Sequence, residues 1–148
     1  PNTPARIGRS MTVWTSTPAV SAAQHDVVRS VLRTLGEELY VPDEKYLDMA
    51  TALSGSGPAY VFLFVEALVD GAVRIGMPRP MAQKLAETTV MGSIEYLRSS
   101  GVHAAELRSG VTSPGGTTAA ALHELEKGSL RSVIAEAIAA AYDKARSL

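Results

Sequence analysis

One segment limits the folds open to this chain more than any other. From Pro58 to Ile75 the residues are apolar nearly all round a helix, and the only charges, Glu66, Asp70 and Arg74, are spaced four apart and share one narrow stripe. A helix with so little polar surface has to be covered on most sides. A chain of 148 residues makes one ordinary domain with a core, and such a domain has too little material to wrap this helix unaided. The segment therefore predicts that a second subunit supplies part of the cover. Its longest unbroken apolar run, Ala59 to Val65, is only seven residues. A bilayer span takes about 20, so the expectation is a buried helix and no membrane anchor.

The elements around it read as mostly helical. Residues 10–15 (SMTVWT) combine β-branched and aromatic residues and predict a short strand. From Pro18, Val20, Val27, Val28, Val31, Leu32 and Leu35 recur at helical spacing, with Gly36 where a C-terminal cap would stand. Leu39-Tyr40-Val41 is a second strand candidate. Two isolated strands are marginal by themselves, so they are expected to be the edge of a sheet whose other strands lie upstream of Pro1. Asp43 opens a short helix, and Ser54-Gly55-Ser56-Gly57-Pro58 interrupts it. A helix follows from Arg79 to Ser99, with Met81, Leu85, Thr88, Thr89, Gly92, Ile94 and Leu97 as inward candidates. A turn around Ala104–Arg108, a helix from Thr118 to Glu126, a hinge at Lys127-Gly128 and a last helix from Ser129 close the chain. Pro1-Asn2-Thr3-Pro4 is loop chemistry without an initiator methionine, which predicts a start inside a larger protein.

Composition removes several classes of chemistry. There is no cysteine, hence no disulfide, cysteine-bound zinc or thiol nucleophile, and a reducing, cytoplasmic setting is the expectation. With 14 basic and 15 acidic residues and no run of like charge, no footprint for nucleic acid is present. His25, His103 and His123 stand apart from one another, so no metal site is expected and all three read as surface histidines.

The loop Ser109–Thr118 carries the chemistry. It holds five hydroxyls, three glycines and a proline, no ionisable side chain, and it runs directly into a helix. The first turn of a helix offers free N–H groups and a partial positive charge, so it binds a carboxylate or phosphate without lysine or arginine. Gly115 and Gly116 allow close approach, and Ser113, Thr117 and Thr118 add donors. The simpler reading makes Ser-Pro-Gly-Gly a turn and Thr117 or Thr118 a helix cap. Either way, no carboxylate or imidazole transfers a proton here, which leaves reactions that need orientation while a cofactor does the hard step. Gly55-x-Gly57 is no dinucleotide fingerprint, because Tyr60 stands where the third glycine belongs and no strand precedes it.

Four stretches, Pro1-Asn2-Thr3-Pro4, Ala52–Tyr60, Asp70-Gly71 with Gly76–Arg79, and Val111–Thr118 followed by Leu125-Glu126, together resemble the pyrroline-5-carboxylate reductase family over essentially the whole chain. The resemblance implies a mainly α dimerisation domain of the 6-phosphogluconate-dehydrogenase-like type, preceded by one or two strands left over from a Rossmann sheet. Residues 1–42 would be that strand-helix-strand remnant and 43–148 the helical dimerisation and substrate-binding domain. It further implies reduction of 1-pyrroline-5-carboxylate to L-proline with NADPH or NADH, in a homodimer that can build larger assemblies. Val111, Ser113, Gly115, Gly116, Thr117 and Thr118 would bind the substrate, with the Thr118 hydroxyl, as the catalytic group, meeting the ring nitrogen. Asn2, Thr3, Ser54, Gly55, Ser56, Gly57, Pro58 and Ala59 would lie on the cofactor side. The family's N-terminal nucleotide-binding domain is absent from these residues, so the expectation is that they do not turn over alone.

Two other readings compete. A non-catalytic helical dimerisation module explains the apolar helix but not the Ser-Pro-Gly-Gly-Thr-Thr loop. Another Rossmann-linked dehydrogenase would carry a catalytic lysine facing the site, yet Lys45, Lys84, Lys127 and Lys144 are not part of the glycine-rich elements.

Overall fold

The computed structural model describes residues 1–147. A 3-10 turn (Thr3–Ile7) precedes β1 (Ser10–Trp14), α1 (Ala22–Leu32), β2 (Gly36–Tyr40), α2 (Lys45–Ala50), a π turn (Thr51–Gly55), α3 (Gly57–Arg74), α4 (Arg79–Ser100), α5 (Ala104–Gly110), α6 (Thr117–Lys127) and α7 (Leu130–Ala145). The fold is mainly α with one small sheet, as expected. The chain forms two compact units: Pro1–Val61 with the stretch from Ala135 onward, and Phe62–Ile134.

In the first unit β1 and β2 are parallel, in register from Ser10↔Gly36 to Trp14↔Tyr40. Parallel neighbours need a crossover, and α1 provides it. This helix starts at Ala22 rather than Pro18, because Ser21 and Gln24 form a reciprocal capping box: the Ser21 hydroxyl accepts from the Gln24 N–H at 3.3 Å, and the Gln24 carboxamide accepts from the Ser21 N–H at 2.8 Å. Gly36 is not the cap of α1 but the first residue of β2. It adopts φ +142° with its α-carbon pressed against Ser10, and a Cβ there would run into the Ser10 backbone N and O. Only glycine enters the ladder at that point.

The crossover also changes the reading of His25. Its ring meets Trp14 edge-on at 5.3 Å and Tyr40 at 5.0 Å, and Nε2 lies 2.7 Å from the Ser16 hydroxyl. It is a half-buried member of an aromatic cluster, where sequence alone suggested a surface residue. Beside it the Trp14 indole N–H donates to Glu38 at 2.8 Å, and Arg33 donates to the other carboxylate oxygen at 3.1 Å. The Glu38 side chain is 8% exposed. The indole bond first, then the Arg33 bond and charge, hold its carboxyl below the usual glutamate range against the opposing effect of burial.

Ser54–Pro58 breaks the regular α-helix as expected, with α3 beginning at Gly57, but it does not end the helical path. Lys45–Arg74 is one helix of 30 residues, and the chain passes the proline by widening into the π turn, closed by Ser56 N–H to Thr51 O at 2.8 Å. The reason is Pro58. In an α-helix its ring would clash with the carbonyl of Ser54 four residues earlier, and it has no N–H to give that carbonyl. A π turn accommodates the misfit without ending the helix. Tyr60 braces the turn by donating to Ala52 O at 3.1 Å.

In the second unit Val69, Ala82 and Ala86 are buried, with Val65, Ala72, Val73 and Met77 packed against them. The α3–α4 connection is a Schellman motif, with Gly76 N–H to Val73 O at 2.9 Å and Met77 N–H to Ala72 O at 3.1 Å. Asp70 pairs with Arg79 at 2.7 Å and not with Arg74. Of the inward candidates of α4, Leu97 is half-buried, whereas Met81 (55% exposed), Leu85 (51%) and Ile94 (52%) face outward and Ala82 and Ala86 make the contact with α3. Periodicity reveals an apolar stripe but not which chain covers it. The Lys45–Arg74 helix is, among the described residues, the one long and apolar enough to cross a membrane by length and composition, and 11% of its most apolar window is buried. Glu66 splits what is otherwise a longer apolar stretch.

Candidate functional site

The loop between α5 and α6 is built from its hydroxyls and glycines. Helix α5 is longer than the expected turn. It begins with the His103 ring accepting from Ala105 N–H at 3.2 Å and consumes two of the five hydroxyls as it ends. Ser109 donates to Ala105 O at 2.9 Å and Thr112 to Arg108 O at 2.6 Å. The chain then turns at Ser113–Gly116, with Gly116 N–H donating to Ser113 O at 3.0 Å and Gly115 at φ +67°. That φ is left-handed and suits glycine.

The other three hydroxyls, on Ser113, Thr117 and Thr118, have no partner among the described residues. The N-cap of α6 is Gly116, in an extended conformation with no side-chain cap bond. Ser113–Gly116 is therefore the turn of the simpler reading, but neither Thr117 nor Thr118 caps the helix. The helix leaves the N–H groups of its first turn unpaired by its own geometry, and three hydroxyls surround that end. Gly116 also sits against Ser113: a Cβ there would collide with Ser113 Oγ and lie 3.1 Å from Ser113 O. Ser113 and Val111 are exposed, and Thr118 is half-buried. The arrangement offers donors without any net charge, which suits a small carboxylate.

The second group of expected residues lies in the first unit. Asn2 and the π turn are joined there: the Asn2 carboxamide donates to Ser54 O at 3.0 Å. Ser56 and Thr3 keep their hydroxyls unengaged. A hollow of about 210 Å³ between β1 and the turn is lined by Met11, Val13, Leu47, Thr51, Ser54 and Gly55. Around Gly57 a side chain would meet only open space. Ser54–Ala59 are small and uncharged, and none of them is a cation that could hold a pyrophosphate.

One feature escaped the sequence reading. A cleft of about 420 Å³ between α5 and α6 brings Arg108, His123 and Glu126 to one place. Glu126 is already paired with Arg131 at 2.7 Å. A helical wheel of α6 puts His123 and Glu126 one turn apart, but Arg108 is brought in only by the fold. No group of three metal-ligating side chains occurs among the described residues.

Comparison with known proteins identifies the family and the fold. Residues 44–148 match the family model described as pyrroline-5-carboxylate reductase dimerisation. A Synechocystis pyrroline-5-carboxylate reductase is 45% identical over 148 residues, all of this chain and 55% of the relative. The solved structure of the 1-pyrroline-5-carboxylate reductase of Streptococcus pyogenes superposes with a TM-score of 0.96 at 38% identity, covering 100% of this chain and 57% of that one. The Plasmodium falciparum pyrroline carboxylate reductase with NADP bound superposes with a TM-score of 0.94 at 35% identity, covering 99% and 60%. The chain spans about half the length of the curated relatives it matches.

Proposed function

We propose that this chain, which belongs to the pyrroline-5-carboxylate reductase dimerisation family, is the helical part of an NAD(P)H-dependent reductase that converts 1-pyrroline-5-carboxylate to L-proline. The observation that carries the reading is the set of three unengaged hydroxyls around the uncapped start of α6, in a loop with no ionisable side chain. Residues 1–42 are the end of the nucleotide-binding domain, and 43–148 the dimerisation and substrate-binding domain. A nicotinamide, when bound, supplies the hydride. Everything else asked of these residues is positioning.

The substrate carboxylate is held by the Ser113 hydroxyl and by backbone N–H groups of Gly116, Thr117 and Thr118. Charge-assisted bonds of this kind are roughly twice as strong as neutral ones. Val111 and Gly115 shape the wall of that pocket. The Thr118 hydroxyl meets the ring nitrogen and orients the C=N bond, so it is the residue we assign to catalysis. Asn2, Thr3 and Ser54–Ala59 form the nicotinamide side. The rest of the cofactor is bound outside these 148 residues, which alone are expected to be inactive. Such a reductase works where reduced cofactor is replenished, and we place it in the cytoplasm.

The homodimer follows from the second unit. Phe62, Leu63, Met91, Ile94 and Tyr96 are each at least half exposed, an apolar surface that monomers rarely leave open. A second copy covering it also accounts for the membrane-like composition of the long helix. Turnover of NADPH with 1-pyrroline-5-carboxylate, measured on the complete gene product and on residues 1–148, tests the reading. Activity in the complete protein alone supports it, and its absence there refutes it.

A further inference from the structure

We infer that Asn2 is a positioning residue: its side chain replaces the hydrogen-bond donor that Pro58 cannot provide, and so fixes the π turn that carries Ser54–Ala59. The inference rests on the reductase reading only for its effect on turnover. Every polar group of Asn2 is engaged within the first unit. Its N–H donates to the Ser10 hydroxyl at 3.3 Å, and its backbone carbonyl accepts from Ala5 N–H at 3.1 Å. Its side-chain oxygen accepts from Met11 N–H at 3.2 Å. Its side-chain nitrogen donates to Ser54 O at 3.0 Å, with the Ser54 hydroxyl at 3.4 Å. The orientation of the carboxamide is fixed by chemistry, since Met11 N–H can only donate and Ser54 O can only accept.

The Ser54 carbonyl needs this partner. Its helical donor would be residue 58, a proline without an N–H. The next residue, Ala59, gives its N–H to Ser56 O at 3.0 Å. A carbonyl left over inside a helix is satisfied from elsewhere or weakens the turn. Here the donor comes from 52 residues earlier in the chain and is itself anchored on β1 through Met11. Asn2 therefore acts on the cofactor side of the site through the turn, its carboxamide held between Met11 and Ser54.

The test compares wild type, Asn2→Ala and the near-isosteric Asn2→Asp in the complete protein. Amide hydrogen exchange is read at Met11 and Ser56, and kinetics are measured with NADPH and with NADPH deuterated at the transferred position. Removing the donor should speed exchange at Ser56 about tenfold in both variants, the change expected for one lost hydrogen bond. Asn2→Asp keeps an acceptor for Met11, so exchange there should rise only in Asn2→Ala. Turnover should fall about tenfold, with the imine KM within about twofold and a larger isotope effect on kcat, which a mere loss of folded enzyme does not produce. Unchanged exchange at Ser56 in both variants overturns the inference. So does a fall in kcat without faster exchange, which would make Asn2 a direct contact, or faster exchange with wild-type kcat and isotope effect, which would make the brace structural only. A wild type that shows no turnover removes the reductase reading and with it the positioning role, while exchange at Ser56 still decides the hydrogen-bond assignment.

Discussion

Gly116→Ala separates the shape of the proposed substrate loop from its fold. Gly116 has φ −78° and ψ 168°, values any residue adopts, so backbone strain plays no part. The added methyl would collide with Ser113 Oγ, lie 3.1 Å from Ser113 O and 3.6 Å from Ser113 Cβ. The hydroxyl can rotate away, but the carbonyl accepts the Gly116 N–H at 3.0 Å and has to yield by a few tenths of an ångström. Overpacking of this kind costs about 1–3 kcal/mol, and the exposed loop should keep the loss near the lower end. A melting point lowered by only a few degrees is expected. The catalytic effect is larger. If the displaced hydroxyl is one of the carboxylate donors, a charge-assisted bond of about 1.5–3 kcal/mol is lost, or roughly ten- to a hundredfold in kcat/KM. The assay is kcat/KM for 1-pyrroline-5-carboxylate in the complete protein, with calorimetry alongside. Ser113→Ala should lose a similar factor, and the double variant little more than either single one. A Gly116→Ala enzyme within about twofold of wild type would refute the reasoning, as would losses that multiply in the double variant.

Three further perturbations test other parts of the structure. Gly36→Ala drives a Cβ into the Ser10 backbone and should destabilise the first unit by about 3 kcal/mol or more, measured by denaturant unfolding; a loss under about 1 kcal/mol contradicts the close approach. Ile94→Asp, at a site 52% exposed, should leave each subunit folded by circular dichroism while sedimentation shows monomers; an intact dimer would move the interface off α4. Trp14→Phe removes the main cause of the lowered Glu38 pKa. A carboxyl depressed in the folded state adds stability above the ordinary glutamate range and loses it as pH falls through its lowered value. The melting-point gap between wild type and Trp14→Phe should therefore narrow on acidification, and a gap constant with pH would rule the indole bond out.

Much of this architecture could be read from local chemistry. The β-branched run at 10–15 became β1, the Gly76-Met77-Pro78 punctuation ended α3 and began α4, and the glycine-rich loop preceded α6. Failures came where a residue's partner is distant in sequence. Pro58 does stand in the first turn of α3, but nothing local shows that α2 runs into α3 through a π turn whose Ser54 carbonyl is bonded by Asn2. His25 looked like a surface residue until the β1–α1–β2 crossover laid it against Trp14 and Tyr40. Gly36 followed an apolar helical pattern and read as its cap, whereas the parallel ladder needs it beside Ser10. For α4, residue spacing alone could not distinguish a face turned toward α3 from one turned toward another molecule.

The same limit applies inside the loop, and there it has chemical content. All five hydroxyls between Ser109 and Thr118 look equivalent in sequence, but α5 ends by drawing Ser109 and Thr112 onto its own carbonyls. What remains, on Ser113, Thr117 and Thr118, is grouped about a helix start that has no cap. A cap would have stabilised α6 by about 1 kcal/mol, so its absence leaves the first-turn N–H groups unspent for a ligand. A loop that bound its anion with arginine or lysine would place a fixed positive charge beside the ring nitrogen. That nitrogen becomes cationic when the imine is protonated, and a neighbouring cation would oppose it. Neutral donors hold the carboxylate without that repulsion, which is a physical reason for an uncharged loop in front of α6 to suit a cyclic imino acid.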